Sequence, residues 1–213
     1  MSNLPAKENI LRKIRVALAQ TTPEPFEKTE RADKLFIQSA NELAVEFAER
    51  HIALGGKFIY VNSVQELQEK VNILIATEKW SRIYCAEQAI AKLLPSLTQD
   101  VVNLENISSC EVAVTGCECL IARTGSIVMS SQNESGRTAS VYAPVHICIA
   151  LYSQVVADVA EGIQLIQKKY GTEVPSLITF ATGPSRTADI EKTLIVGVHG
   201  PREVYVFLLD EEG

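Results

Sequence analysis

Residues 182–202 place hydroxyls, a guanidinium, carboxylates and an imidazole between two Gly-Pro steps, Gly183-Pro184 and Gly200-Pro201. Backbone N–H groups around Gly183, the hydroxyls of Thr182, Ser185 and Thr187, and the fork of Arg186 make a set suited to cradling a carboxylate or phosphate. A helix starting near Thr187 would add its dipole to that cradle. The same residues also suit a plain turn, with the hydroxyls capping a helix and Arg186 solvated or paired with Glu191. Asp189 and Glu191 could work as acid and base. They share a face if the chain there is a strand, and diverge by about 200° if it is a helix. Salt bridges to Arg186 or Lys192 are the structural alternative. His199, followed by Gly200, suits proton transfer near neutral pH, and equally a hydrogen bond to a nearby carbonyl.

Further candidates lie upstream. Thr124-Gly125-Ser126 is a second turn of hydroxyls and glycine, Arg137 sits in the polar loop after it, and His146 opens an apolar run behind Pro144. All four side chains and Gly125 could line one pocket, or could be ordinary turn and strand-end residues. Several chemistries lack their pattern. There is no Gly-x₄-Gly-Lys-Ser/Thr loop, and no Gly-x-Gly-x-x-Gly follows either early strand. Cys117-Glu118-Cys119, even with Cys110 nearby, fits neither zinc spacing nor iron–sulfur runs. No metal and no redox cofactor of the chain's own is therefore expected.

The elements that must position these residues follow from periodicity. Ile10, Ile14 and Leu18 predict a short amphipathic helix over 5–19, which Pro23 and Pro25 end. A longer helix is expected over about 29–54, stopped by Gly55-Gly56. Strands are expected at 57–61 and 82–86, with a helix opened by the capping pair Ser63 and Glu66 between them. Residues 110–114 read as a helical turn or a short strand. A hairpin over 119–129, a buried strand at 145–151, a helix capped by Asp158 and ended by Gly171, and strands at 177–181 and 204–209 complete the chain. Helices alternating with strands predict an α/β fold with a mainly parallel sheet and flanking helices. Residues 1–27 are expected to be an N-terminal helix and linker, and 28–213 one α/β domain.

With 213 residues, 46% of them hydrophobic, the chain can bury one substantial core. A net charge of −6 without a long basic run argues against nucleic acid. No apolar run reaches the ~20 residues of a membrane span. An odd count of five cysteines fits reduced thiols and a cytoplasmic setting.

Thr124-Gly125-Ser126-Ile127, Pro144-x-His146, the run from Thr182 to Glu191 and Gly197-x-His199-Gly200-Pro201 together resemble the lactate utilization protein C family, the LUD domain. The resemblance runs from about residue 30 to the C-terminus. It implies the α/β sheet shared by ribose-5-phosphate isomerase, glucosamine-6-phosphate deaminase and CoA transferases. It also implies a place in bacterial oxidation of L-lactate to pyruvate, beside iron–sulfur-containing partner subunits. The expected role is a component that binds a small carboxylate or organises its partner's site. The alternatives are a stand-alone acid–base enzyme on a sugar phosphate or acyl-CoA, and a ligand-free interaction module.

Overall fold

The computed structural model describes residues 6–19, 41–99, 109–187 and 195–210. The chain divides into two units, Met1–Ile37 and Gln38–Gly213. The first contains α1 (Ala6–Leu18), the helix that the spacing of Ile10, Ile14 and Leu18 predicts.

In the second unit, α2 (Leu43–Ala53) is shorter than expected. Its predicted start, 29–40, lies outside the described residues. Glu42 is extended rather than helical, and its carboxylate accepts the Tyr152 hydroxyl, a tertiary contact invisible to periodicity. The chain continues through β1 (Lys57–Val61), α3 (Val64–Glu78), β2 (Ile83–Tyr84), α4 (Gln88–Leu93) and β3 (Val112–Thr115). Next come β4 (Cys119–Ile121), β5 (Ser126–Ser130), α5 (Ala139–Tyr142) and β6 (Val145–Leu151). Then follow β7 (Val155–Val156), α6 (Val159–Tyr170), β8 (Ile178–Ala181), β9 (Arg186–Thr187), β10 (Ile195–Val196) and β11 (Glu203–Leu209). The segment left open at 110–114 is thus a strand. Thr187 is in a strand too, and the residues that would continue into a helix after it lie outside the described residues.

Five strands form a parallel sheet in the order β1-β11-β6-β3-β2. Its middle strands, β6 and β11, are the near-continuous apolar runs that a sheet covered on both faces requires. Side chains alternate between two cores. Ile147, Ile149, Tyr205 and Phe207 pack with Leu67 and Val71 of α3. Cys148, Ala150, Val204, Val206 and Leu208 pack with Ala44 and Phe47 of α2 and with Leu120 and Ile127. Those last two belong to a second, mixed sheet, ordered β7-β4-β5-β8. A two-stranded antiparallel ribbon of β9 and β10 stands apart from both sheets, with Ile195 opposite Thr187.

Local capping follows the sequence closely. Ser63 Oγ accepts the Glu66 N–H at 3.2 Å, and Glu66 reaches back to the N–H of Asn62, one residue before the expected one, at 2.8 Å. Asp158 accepts the Val159 N–H and pairs with Arg123 at 2.7 Å. No described helix is long and apolar enough to cross a membrane.

One buried charge ties α6 to the second sheet. Glu118 accepts Ser130 Oγ at 2.6 Å and Tyr170 OH at 2.7 Å, and pairs with Lys169 Nζ at 2.8 Å. Burial alone would raise its pKa; Lys169, Ser130 and Tyr170 together hold it below the usual carboxylate value. Glu118→Gln should lower stability by roughly 2–3 kcal/mol, because two hydroxyls and an ammonium lose a charged acceptor while half-exposed Lys169 regains water. Urea midpoints measure it; a loss under about 0.5 kcal/mol, the scale of a neutral surface change, would refute the clamp.

Candidate functional site

The last turn of α2 gathers several of the candidate residues. His51 is fully buried, stacked on Phe47, and donates its Nδ1–H to the Gly125 carbonyl at 3.0 Å. Gly125 has φ +63°, and a Cβ there would lie 2.7 Å from the His51 amide nitrogen. The Thr124-Gly125-Ser126 turn can therefore sit on the helix backbone only with glycine at its centre. Its hydroxyls continue the contact: Thr124 to Ser126 at 2.7 Å, Ser126 to Thr182 at 2.8 Å. Thr182 brings in the 182–187 segment. Gly183, φ +83°, packs 3.0 Å from the Leu54 carbonyl, measured from where its Cβ would be.

Arg186 completes this knot. It is exposed, and it donates from Nη2 to the Leu54 carbonyl, one of the groups a helix end leaves free. Ser185 N–H donates to Pro201 O and Gly197 N–H to Ser185 O, each at 2.9 Å. Gly200 packs closely on Ser185. The ribbon is thus fastened at its base, while Ile195, Val196, Val198 and His199 are exposed. Asp189 and Glu191 lie outside the described residues. Arg137 is elsewhere: it is exposed and donates to Ser176 Oγ at 2.6 Å.

Open α/β sheets hold ligands outside the carboxyl ends of their strands, and this knot lies elsewhere. Leu54 and Gly55 precede β1, and Arg202 N–H donates to the carbonyl of Pro144, just before β6. The knot therefore sits at the amino ends of the parallel strands. The reason is topological, because the preceding strand β8 belongs to the second sheet and delivers the chain to that edge.

His146, the second residue of β6, is fully buried nearby, with its Nε2 2.8 Å from Thr115 Oγ1. Its Nδ1 has no hydrogen-bond partner among the described residues. Burial lowers its pKa to about 4, with His51 adding to the shift. Burial lowers that of His51 as well, against the pull of the Gly125 and Val204 backbone. Both imidazoles are neutral around pH 7.

A pocket occupies the other end of the sheet, outside the carboxyl ends of β2 and β3, where open α/β sheets hold ligands. Glu87, Thr115, Gly116, Ser130, Asn133 and Ser135 contribute to its wall. Glu87 accepts the Gly116 N–H at 3.0 Å and Ser135 Oγ at 2.5 Å. These residues and His51 were not singled out in the sequence as chemical groups. Glu118, between two buried cysteines, was the strongest available signal; Glu87, an acidic residue ahead of a short helix, offered none.

Comparison with known proteins identifies relatives. Residues 44–209 match the family model described as "LUD domain". The chain is 31% identical over 175 residues to "Lactate utilization protein C" of Geobacillus thermodenitrificans, covering 81% of this chain and 71% of that one. It is 34% identical over 111 residues to the protein of the same name from Bacillus subtilis, covering 51% of this chain and 46% of that one. The aligned stretches thus span from about half to seven-tenths of these relatives. A DUF162 family protein from Deinococcus radiodurans has the same fold, with TM-score 0.58 and 21% identity over 78% of this chain and 96% of the other.

His146 gives a pH dependence. Free histidine titrates near 6.5, so between that value and about 4 the unfolded chain binds the extra proton. Stability is complete above pH 6.5 and should fall by about 3 kcal/mol as pH drops to 4, then flatten. Urea midpoints across that range should show the slope, and His146→Gln should reduce it. A slope unchanged in the variant would assign it to other groups.

Proposed function

The chain belongs to the LUD domain family, and from that premise we propose that it serves lactate utilization as a component that organises the site of a redox-carrying partner. The relatives named lactate utilization protein C support the process. In this reading the partners are iron–sulfur subunits that oxidise L-lactate to pyruvate, and this chain supplies a rigidly held recognition surface.

One observation carries the reading. The β9–β10 ribbon and the turn after it expose apolar Ile195, Val196 and Val198, with His199, while Arg186 holds the ribbon's base to the end of α2. Exposed apolar side chains on a fixed support are what a protein interface uses. A small carboxylate would meet Arg186 here with one N–H already engaged by Leu54. The same engagement weakens the case for a stand-alone enzyme gripping a sugar phosphate or acyl-CoA through that arginine.

The test reconstitutes lactate-dependent dye reduction from this chain and the proteins encoded beside it. Val196→Asp should leave the melting temperature unchanged and lower the lactate-dependent rate at least about tenfold at limiting protein, since one lost interface anchor is worth ~1.4 kcal/mol or more. A wild-type rate in that variant, or a rate that does not depend on this chain, would refute the role.

A further inference from the structure

The pocket at the carboxyl ends of β2 and β3 is lined by hydroxyls that have already given away their protons. Ser135 Oγ donates to Glu87 Oε1 at 2.5 Å, and Ser130 Oγ donates to Glu118 Oε1 at 2.6 Å. Thr115 Oγ1 donates to the Gly116 carbonyl at 2.9 Å. All three residues are nearly inaccessible, at 4%, 4% and 1% exposure. A hydroxyl has one proton and two lone pairs. With the proton engaged inward, what remains for a ligand is acceptor capacity.

The backbone donors nearby are engaged as well. Gly116 N–H points to Glu87, Gly136 N–H donates to Asn133 O at 2.8 Å, and Gln132 N–H donates to Ser130 Oγ at 3.2 Å. The Asn133 amide and the Ser140 hydroxyl are the remaining polar side chains of the wall, which contains no lysine, arginine or histidine. Glu87 forms no ion pair among the described residues.

This chemistry selects its ligand. An ionised carboxylate or phosphate is itself all acceptor, so it would meet lone pairs and a negative charge at once. A compact cation is bound by the same oxygens. One carboxylate balances one positive charge, whereas calcium takes about six to eight oxygen ligands, several of them carboxylates. The cavity has room for a water-sized group beside these oxygens.

We propose that this pocket binds a compact monovalent cation of ammonium or potassium size, held by Glu87 and the lone pairs of Ser130 and Ser135. The ion arrives either free or as the primary ammonium group of a larger ligand. The site lies at the opposite end of the sheet from the β9–β10 ribbon and stands or falls independently of partner docking.

The test follows thermal unfolding of the full chain, with ionic strength held constant by tetramethylammonium chloride, whose ion is too large for the pocket. Ammonium chloride, potassium chloride and methylammonium chloride are titrated in its place. The expected result is a saturating rise in melting temperature with ammonium or potassium, lost in Glu87→Gln and weakened in Ser135→Ala. A further rise with methylammonium assigns the site to a ligand's amino group; a rise confined to the inorganic ions assigns it to a free ion. Should Glu87→Gln fail to fold, Ser135→Ala alone carries the comparison. The proposal is overturned if none of the three ions gives a saturating rise, or if the rise persists in the variants that fold. It is equally overturned if tetramethylammonium lactate gives a saturating rise that Glu87→Gln abolishes.

Discussion

The end of a helix leaves carbonyl groups without partners, and at the end of α2 this requirement arranges the surrounding chain. Leu54 presents one such carbonyl, and Arg186, 132 residues later, donates to it. Gly125 lies against the backbone of Arg50 and His51, and Gly183 against Leu54. The His51 ring, fixed by Phe47 below and Gly125 above, fills the space between. Two segments distant in sequence, one with Gly125 and one with Gly183 and Arg186, thus converge on one helical turn. A guanidinium suits this junction because its planar fork holds a carbonyl acceptor while its remaining donors stay in water.

The arrangement also explains why a stretch rich in chemical groups reads so readily as a binding loop. Hydroxyls, glycines and an arginine are what an anion cradle needs, and equally what a close crossing of loop over helix needs. Glycine allows the approach, hydroxyls satisfy each other across the gap as Ser126 and Thr182 do, and arginine closes the helix end. Local composition does not distinguish the two uses. The partner decides, and here the partner of Arg186 is a backbone carbonyl, which leaves no trace in the sequence.

Much of the architecture was legible for the opposite reason, since periodicity and capping are local. The parallel sheet, the hairpin around Gly125, the cap at Asp158 and the helix end at Gly171 all follow from neighbouring residues. The proximity of the 124–126 turn to Thr182 and Gly183 did not follow in this way; the residues left open whether that turn shared a pocket or was an ordinary turn, and the hydroxyl contact from Ser126 to Thr182 decides it. Arg137 went astray because its loop folds toward Ser176, a long-range choice. Residues 182–187 and 195–202 lie at the amino ends of the parallel strands, away from the carboxyl ends where open α/β sheets hold ligands. That placement depends on β8 joining a second sheet, which no pattern within β8 encodes.

The two ends of the sheet share a hydrogen-bonded thread that fixes the character of each. With the Thr115 hydroxyl donating to Gly116 O, its contact with His146 is met by the tautomer that carries the hydrogen on Nε2. That places the imidazole's lone pair on Nδ1, where burial opposes a second proton. Gly116 in turn donates its N–H to Glu87, and Glu87 takes the proton of Ser135. Every donor along the thread points inward or along the chain of bonds. A neutral, buried histidine at one end and a pocket walled by lone pairs at the other are therefore two consequences of one choice of proton positions. Protonating His146 would put a hydrogen on a nitrogen with no acceptor among the described residues.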